Sequence, residues 1–184
     1  MALRISLDLT DRDLRYFRDA VQRSRDAVKD ADDDEIIDAI ASVIEDIRKG
    51  GPLPDFIERR LPDLKALTDM LRDDEWRLPE PERETLLATF IYFGDPEDLI
   101  PDDIPGIGYL DDVIMIELLL RDMRHVRDAY RDFCAFRESL DRAHGRAADS
   151  GDRLGRLRKR RTELHKRMRR RHAADRKLSR KALW

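Results

Sequence analysis

Apolar residues recur at three- and four-residue intervals through most of this chain, the period of a helix that buries one stripe. Leu14, Phe17, Val21 and Val28 form the first stripe, with Thr10 and Asp13 placed to cap its start and an end near Lys29. Ahead of it Ile5, Leu7 and Leu9 alternate with Ser6 and Asp8, which reads as an extended lead-in. Ile36, Ile37, Ile40, Val43, Ile44 and Ile47 form a second stripe that Gly50-Gly51 terminates. Pro52 and Pro54 open a turn, after which Phe56, Ile57, Leu61, Leu64, Leu67 and Leu71 predict two short helices broken at Pro62. Leu78-Pro79-Glu80-Pro81 is a further break, and Glu82 to Phe93 reads as a helix with Leu86, Leu87, Phe90 and Ile91 inward. Leu110 to Leu120 is apolar on nearly every side, with Glu117 the exception, as expected of a helix in the middle of a bundle. The same helix continues as an amphipathic one through Met123, Val126, Tyr130, Phe133, Cys134, Phe136 and Leu140, fading by Gly145.

The stretch from Tyr92 to Asp112 breaks this rhythm. Pro96, Pro101 and Pro105 lack an amide donor, and with Gly94, Gly106 and Gly108 they prevent one continuous helix from crossing it. Asp95 before Pro96, with Asp98 three residues on, reads as a capping box that starts one helical turn, Pro96 to Ile100. Asp111 and Asp112 then fall where the next helix begins, at the positive end of its dipole. Tyr92, Pro96, Asp98, Leu99, Ile100, Pro101, Asp102, Ile104, Pro105, Gly108, Leu110, Asp111 and Asp112 together resemble the signature of the YkvA-like bacterial family, a domain of unknown function. The resemblance covers roughly residues 81–120, implies a helical domain, and brings no known chemistry with it. Gly94-Asp95 and Glu97 stand where that family often has apolar residues and a serine, which argues against the membrane-embedded role its more hydrophobic members suggest.

Composition points to all-α. Charged residues are 42 % of the chain and hydrophobic ones 41 %, where an average soluble domain has about 25 % charged. Heavily solvated outer faces around apolar stripes account for both figures. The expected fold is a compact helical bundle with a Pro/Gly/Asp-rich signature loop and a basic, partly helical C-terminal arm. Cys134 is the single cysteine, so no intramolecular disulfide is possible and no zinc spacing is present, which fits a reducing cytoplasm. The N-terminus lacks the apolar core of a signal peptide. The most apolar window, Ile107 to Leu120, falls short of the roughly 20 apolar residues of a membrane helix.

Charge is distributed unevenly. Gly151 to Trp184 carries 15 Lys or Arg against 3 Asp or Glu, a net of +12, which leaves −15 on the first 150 residues and −3 overall. The expected division is therefore a helical domain over 1–148, with the signature core at about 81–120, and a basic arm over 149–184. In the arm Leu154, Leu157, Leu164, Met168 and Leu178 have helical spacing, but Arg161 and Arg171 interrupt the stripe, which predicts a mobile segment helical only in part. Arg156, Arg158, Lys159, Arg160, Arg161, Arg167, Arg169, Arg170 and Arg171 are the candidate nucleic-acid-binding residues, since guanidinium forks pair phosphates and release counterions. No base-reading module accompanies them, and Trp184 is the arm's lone aromatic. The competing destinations are an anionic membrane surface, an acidic partner protein, and the chain's own acidic body.

Two other clusters carry candidate chemistry. Asp98, Asp102, Asp111, Asp112 and Glu117 offer the several hard oxygens a divalent metal prefers, with Asp103 beside them. The alternative is that the aspartates cap helix starts and Glu117 pairs with Arg121 or Arg124. Asp30, Asp32, Asp33, Asp34 and Glu35 resemble a calcium loop superficially, but Glu35 replaces the sixth-position glycine and Ala41 the twelfth-position glutamate, so the run reads as a helix start. His125, His144, His165 and His172 are scattered, and no nucleophile triad, phosphate loop or dinucleotide fingerprint occurs. The sequence therefore predicts a non-catalytic, cofactor-free binding or adaptor protein of the cytoplasm that contacts a polyanion, RNA or DNA, through its arm. A peripheral membrane-associated module is the runner-up, and a metal-dependent enzyme using the signature carboxylates is a third class. Oligomeric state is not encoded in any pattern of the chain.

Overall fold

Caps, prolines and apolar spacing set where each helix begins and ends. The structure is a computed structural model that describes residues 8–10, 12–28, 32–49, 55–93, 110–144 and 150–181. The described residues are all-α, with α1 Asp13–Val28, α2 Asp33–Lys49, α3 Asp55–Glu58, α4 Leu61–Leu71, α5 Glu80–Phe93, α6 Leu110–Asp122, α7 Arg124–His144 and α8 Ser150–Lys181. The signature turn expected at Pro96 to Ile100 lies outside the described residues, as do Asp98 and Asp102.

Asp32 caps α2, its carboxylate accepting the amides of Asp34 at 2.9 Å and Glu35 at 3.3 Å. Within the acidic run, Asp32 thus satisfies two orphan amides at a helix start. Pro62 occupies the first turn of α4, where its missing amide costs nothing, and separates α4 from the single turn of α3. The long helix expected after the signature is divided at Met123 into α6 and α7. The division is slight, because Met123 still donates to Leu119 at 2.8 Å and accepts from Arg127 at 2.9 Å.

The helices cluster into two compact units. The first comprises Met1–Leu61 and Glu84–Ile116, the second Pro62–Arg83 and Glu117–Trp184. In the first, α1 buries Leu14, Phe17 and Ala20, and α2 buries Ile36, Ile37, Ile40 and Ile44. The helix buried on most sides is α5, whose Leu86, Leu87, Ala88, Thr89, Phe90 and Tyr92 are all enclosed. The sequence places α6 in that position instead; there Val113, Ile114 and Leu118 are only half-buried and Glu117 is exposed. Arg25 on α1 donates to the Thr85 hydroxyl of α5 at 2.9 Å.

The second unit is built around Trp76, which is fully buried in the turn between α4 and α5. Its ring lies 5.6 Å from Tyr130, 5.3 Å from Phe133 and 4.5 Å, edge to face, from His165. Asp73 shapes the turn: its carboxylate accepts the amides of Glu75 and Trp76, both at 3.0 Å, and its carbonyl accepts Arg77, which closes the turn at φ 49°. Arg127 on α7 pairs with Asp63 on α4 at 2.7 Å.

Candidate polyanion-binding face

The basic segment is one continuous helix over its described length, docked on α7. Leu157, Leu164 and Met168 lie on one face at spacings of seven and four and are 2 %, 1 % and 1 % exposed. The described part of the arm is thus helical and docked where a mobile segment is expected, and the reason lies in the arginines that flank this stripe. Arg161, which looked like an interruption, donates to the Glu75 carbonyl at 3.0 Å. Arg153 pairs with Asp141 at 2.7 Å and with Glu75. Arg167 pairs with Asp132, and Arg171 approaches Asp128 at 4.0 Å. Near the C-terminal end Asp175 receives both Arg124 and His125 of α7. Arg153's hydrogen bond outweighs burial and, with Arg137, holds the Glu75 carboxyl below its usual range. The polar partners of the flank come from residues far away in sequence, so the acidic body supplies what the helix needs to dock.

The flank uses up much of the expected binding set. Arg167 and Arg171 face α7 carboxylates, Arg161 is held by a carbonyl, and Arg160 lies 5.7 Å over the Phe136 ring and 3.6 Å from Glu163. Arg156 pairs with Asp152 one turn back, at 2.9 Å. Four of the nine candidates remain: Arg158, Lys159, Arg169 and Arg170, all exposed. Lys166 joins them, a residue absent from the sequence-based set. At 100° per residue these five side chains fall within an arc of roughly 120°, on the side of α8 opposite Leu157, Leu164 and Met168, and span about 18 Å along the axis. None of the five is in a salt bridge among the described residues. The result is a cationic face without a salt bridge among the described residues, bordered about 20° beyond Arg170 by Glu163, which pairs with Arg160.

The signature carboxylates are placed differently. Asp111 and Asp112 stand in the first turn of α6, Asp111 only 2 % exposed, while Glu117 is exposed. Helix periodicity turns Glu117 more than about 100° away from either aspartate. No group of three His, Cys, Asp or Glu suited to holding a metal occurs among the described residues. Cys134 is half-buried, and burial raises its thiol pKa, so it is a poor nucleophile.

His165 gives the docked helix a pH dependence. Its pKa is pushed down to about 4, first by burial and then by Arg161 and Arg169. The unfolded chain takes up a proton near pH 6.5 and the folded one near 4, so stability is complete above 6.5, falls as pH drops through that window, and levels off below it. A shift of this size corresponds to roughly 3 kcal/mol, and solvent at the partly exposed ring lowers this to about 2. Urea unfolding at pH 7 and pH 4.5 should show the loss, and His165→Leu should reduce it to what the carboxylates alone cause.

Residues 85–118 match the sequence model of the family described as "Protein of unknown function (DUF1232)". The matched stretch runs from α5 through the signature into α6 and stops short of α7 and α8. No curated protein and no solved structure matches the chain. No helix among the described residues is long and apolar enough to cross a membrane.

Proposed function

We propose that the chain, whose residues 85–118 resemble a family of unknown function, is a YkvA-like, non-catalytic binding protein of the cytoplasm that contacts a polyanion through the outer face of α8. The observation that carries this reading is the sorting of cations on that helix. Its inner arginines meet carboxylates or a carbonyl, while Arg158, Lys159, Lys166, Arg169 and Arg170 meet none among the described residues. Like charges crowded on one rigid face repel one another, and a row of phosphates relieves that repulsion while releasing its own counterions. A membrane surface is less well served. Leu154 is the one exposed large apolar side chain described on α8, and it lies outside the cationic arc, so this face has nothing to insert among acyl chains.

The test is binding of the full chain, at 50 mM and 200 mM salt, to labelled duplex DNA, duplex RNA, single-stranded DNA and long-chain polyphosphate. At least one should bind, with a salt slope on duplex DNA of roughly −4.5 for five phosphate contacts. Changing Arg158, Lys159, Lys166, Arg169 and Arg170 together to Gln should weaken binding by about 100-fold or more at 50 mM salt, leaving stability within about 1 kcal/mol because the five are exposed. Unchanged affinity in that variant, or no binding to any of the four, would count against the reading.

A further inference from the structure

The cationic face has a relief that a generic polyanion does not require. Arg158 and Arg169 lie along one edge of the arc, Lys159 and Arg170 along the other, about 100° apart around the axis. The ridge between these edges passes through Gly155, Thr162 and Ala173, all exposed. Lys166 leans toward the second edge. Gly155 is the least expected of these, since glycine is the poorest residue but proline for a helix interior. A Cβ added there would meet nothing within 4 Å, so no contact inside the protein calls for its bare backbone.

We infer that α8 enters the major groove of duplex DNA, its low ridge facing the groove floor and its two cationic edges facing the two phosphate walls. This rests on the polyanion reading and adds the partner to it. A helix with its side chains is roughly 10–12 Å across, and the major groove of B-form DNA is about 12 Å wide, so cations on both flanks reach both strands. Duplex RNA keeps its major groove too narrow and deep for a helix. Single strands are held by stacking, and the described outer face of α8 has no aromatic residue. Thr162 is the only uncharged side chain on the ridge able to hydrogen-bond a base edge, so recognition is by shape and charge and tolerates changes of sequence.

The same four ligands decide it, with two unrelated 20-base-pair DNA duplexes and the full chain. Both duplexes should bind equally, and at least tenfold tighter than duplex RNA, single-stranded DNA or polyphosphate. Thr162→Trp, which raises the ridge, should weaken duplex DNA at least tenfold and leave polyphosphate within twofold. Gly155→Leu should do the same while raising the melting temperature, so its loss of binding cannot come from unfolding. A preference below tenfold, or either ridge variant binding duplex DNA like the parent, overturns groove entry while leaving the polyanion reading standing. Binding to none of the ligands at 50 mM salt removes both.

Discussion

Replacing Trp76 with alanine is expected to lower the stability of the second unit by about 4 kcal/mol, measured by urea unfolding. The side chain is fully buried, and its removal strips ring contacts from Tyr130, Phe133 and His165 at once. The surrounding residues come from α7 and α8 and cannot all collapse into a hole of that size. Trp76→Phe should cost far less, about 1 to 2 kcal/mol. It keeps most of the apolar volume and removes the indole N–H, which is buried without a hydrogen-bond partner among the described residues. Because His165 is α8's contact to this ring, the alanine variant should also expose the arginine-rich helix to trypsin sooner than the parent. A loss below about 2 kcal/mol, with α8 as protected as before, would show that the ring is not what anchors the helix.

The dependence on Trp76 was hidden because it sits alone among Asp73, Asp74, Glu75 and Arg77, in a segment with no helical or strand period. Periodicity reports residues that share a face of one element, and a single ring lifted into the core by a capped turn shares a face with nothing. The helices themselves were far more legible. The stripes of α1, α2, α4 and α5 are local in sequence, and the break at Pro62 follows from one missing amide. The apolar run of α6 misled, since its hydrophobicity exceeds its burial, and α5 takes the enclosed position.

The charge of the basic segment is legible in the sequence and its docking is not, for a single physical reason. Arginine at positions 161 and 171 breaks an apolar stripe when the helix is considered by itself, and leaves it marginal in water. Supplied with the Glu75 carbonyl and Asp128, the same residues become the polar margin of a buried seam. Those partners lie 86 and 43 positions away, beyond the reach of any local rule. Lys166, by contrast, was recoverable from the sequence. Once residues 157, 164 and 168 define the inward side, counting 100° per residue places it among the outward cations.

Asp73→Ala is expected to cost about 3 to 4 kcal/mol in the same unfolding experiment, although it deletes no core volume. Its side chain is 8 % exposed and each oxygen has two tasks. One caps the Trp76 turn by accepting the Glu75 and Trp76 amides, worth about 1 kcal/mol. The other accepts the Tyr130 hydroxyl at 3.0 Å and Arg137 at 2.7 Å, a neutral bond of about 1 kcal/mol and a charge-assisted one of about 1.5 to 2. Tyr130 is a dependable donor, because burial, with the negative charge of Asp73 next, raises its phenol well above the usual range. Asp73→Asn should retain the cap and lose the charge, placing it near half the alanine cost. Arg137 keeps Glu75 at 3.2 Å when Asp73 is gone, so it is not left wholly unpaired. A double-mutant cycle between Asp73→Ala and Arg137→Met should therefore give a coupling of about 1 to 2 kcal/mol, below the full cost of the single change. Zero coupling would mean that Asp73 acts through the turn alone and that the Arg137 pair is incidental to holding Trp76 in place.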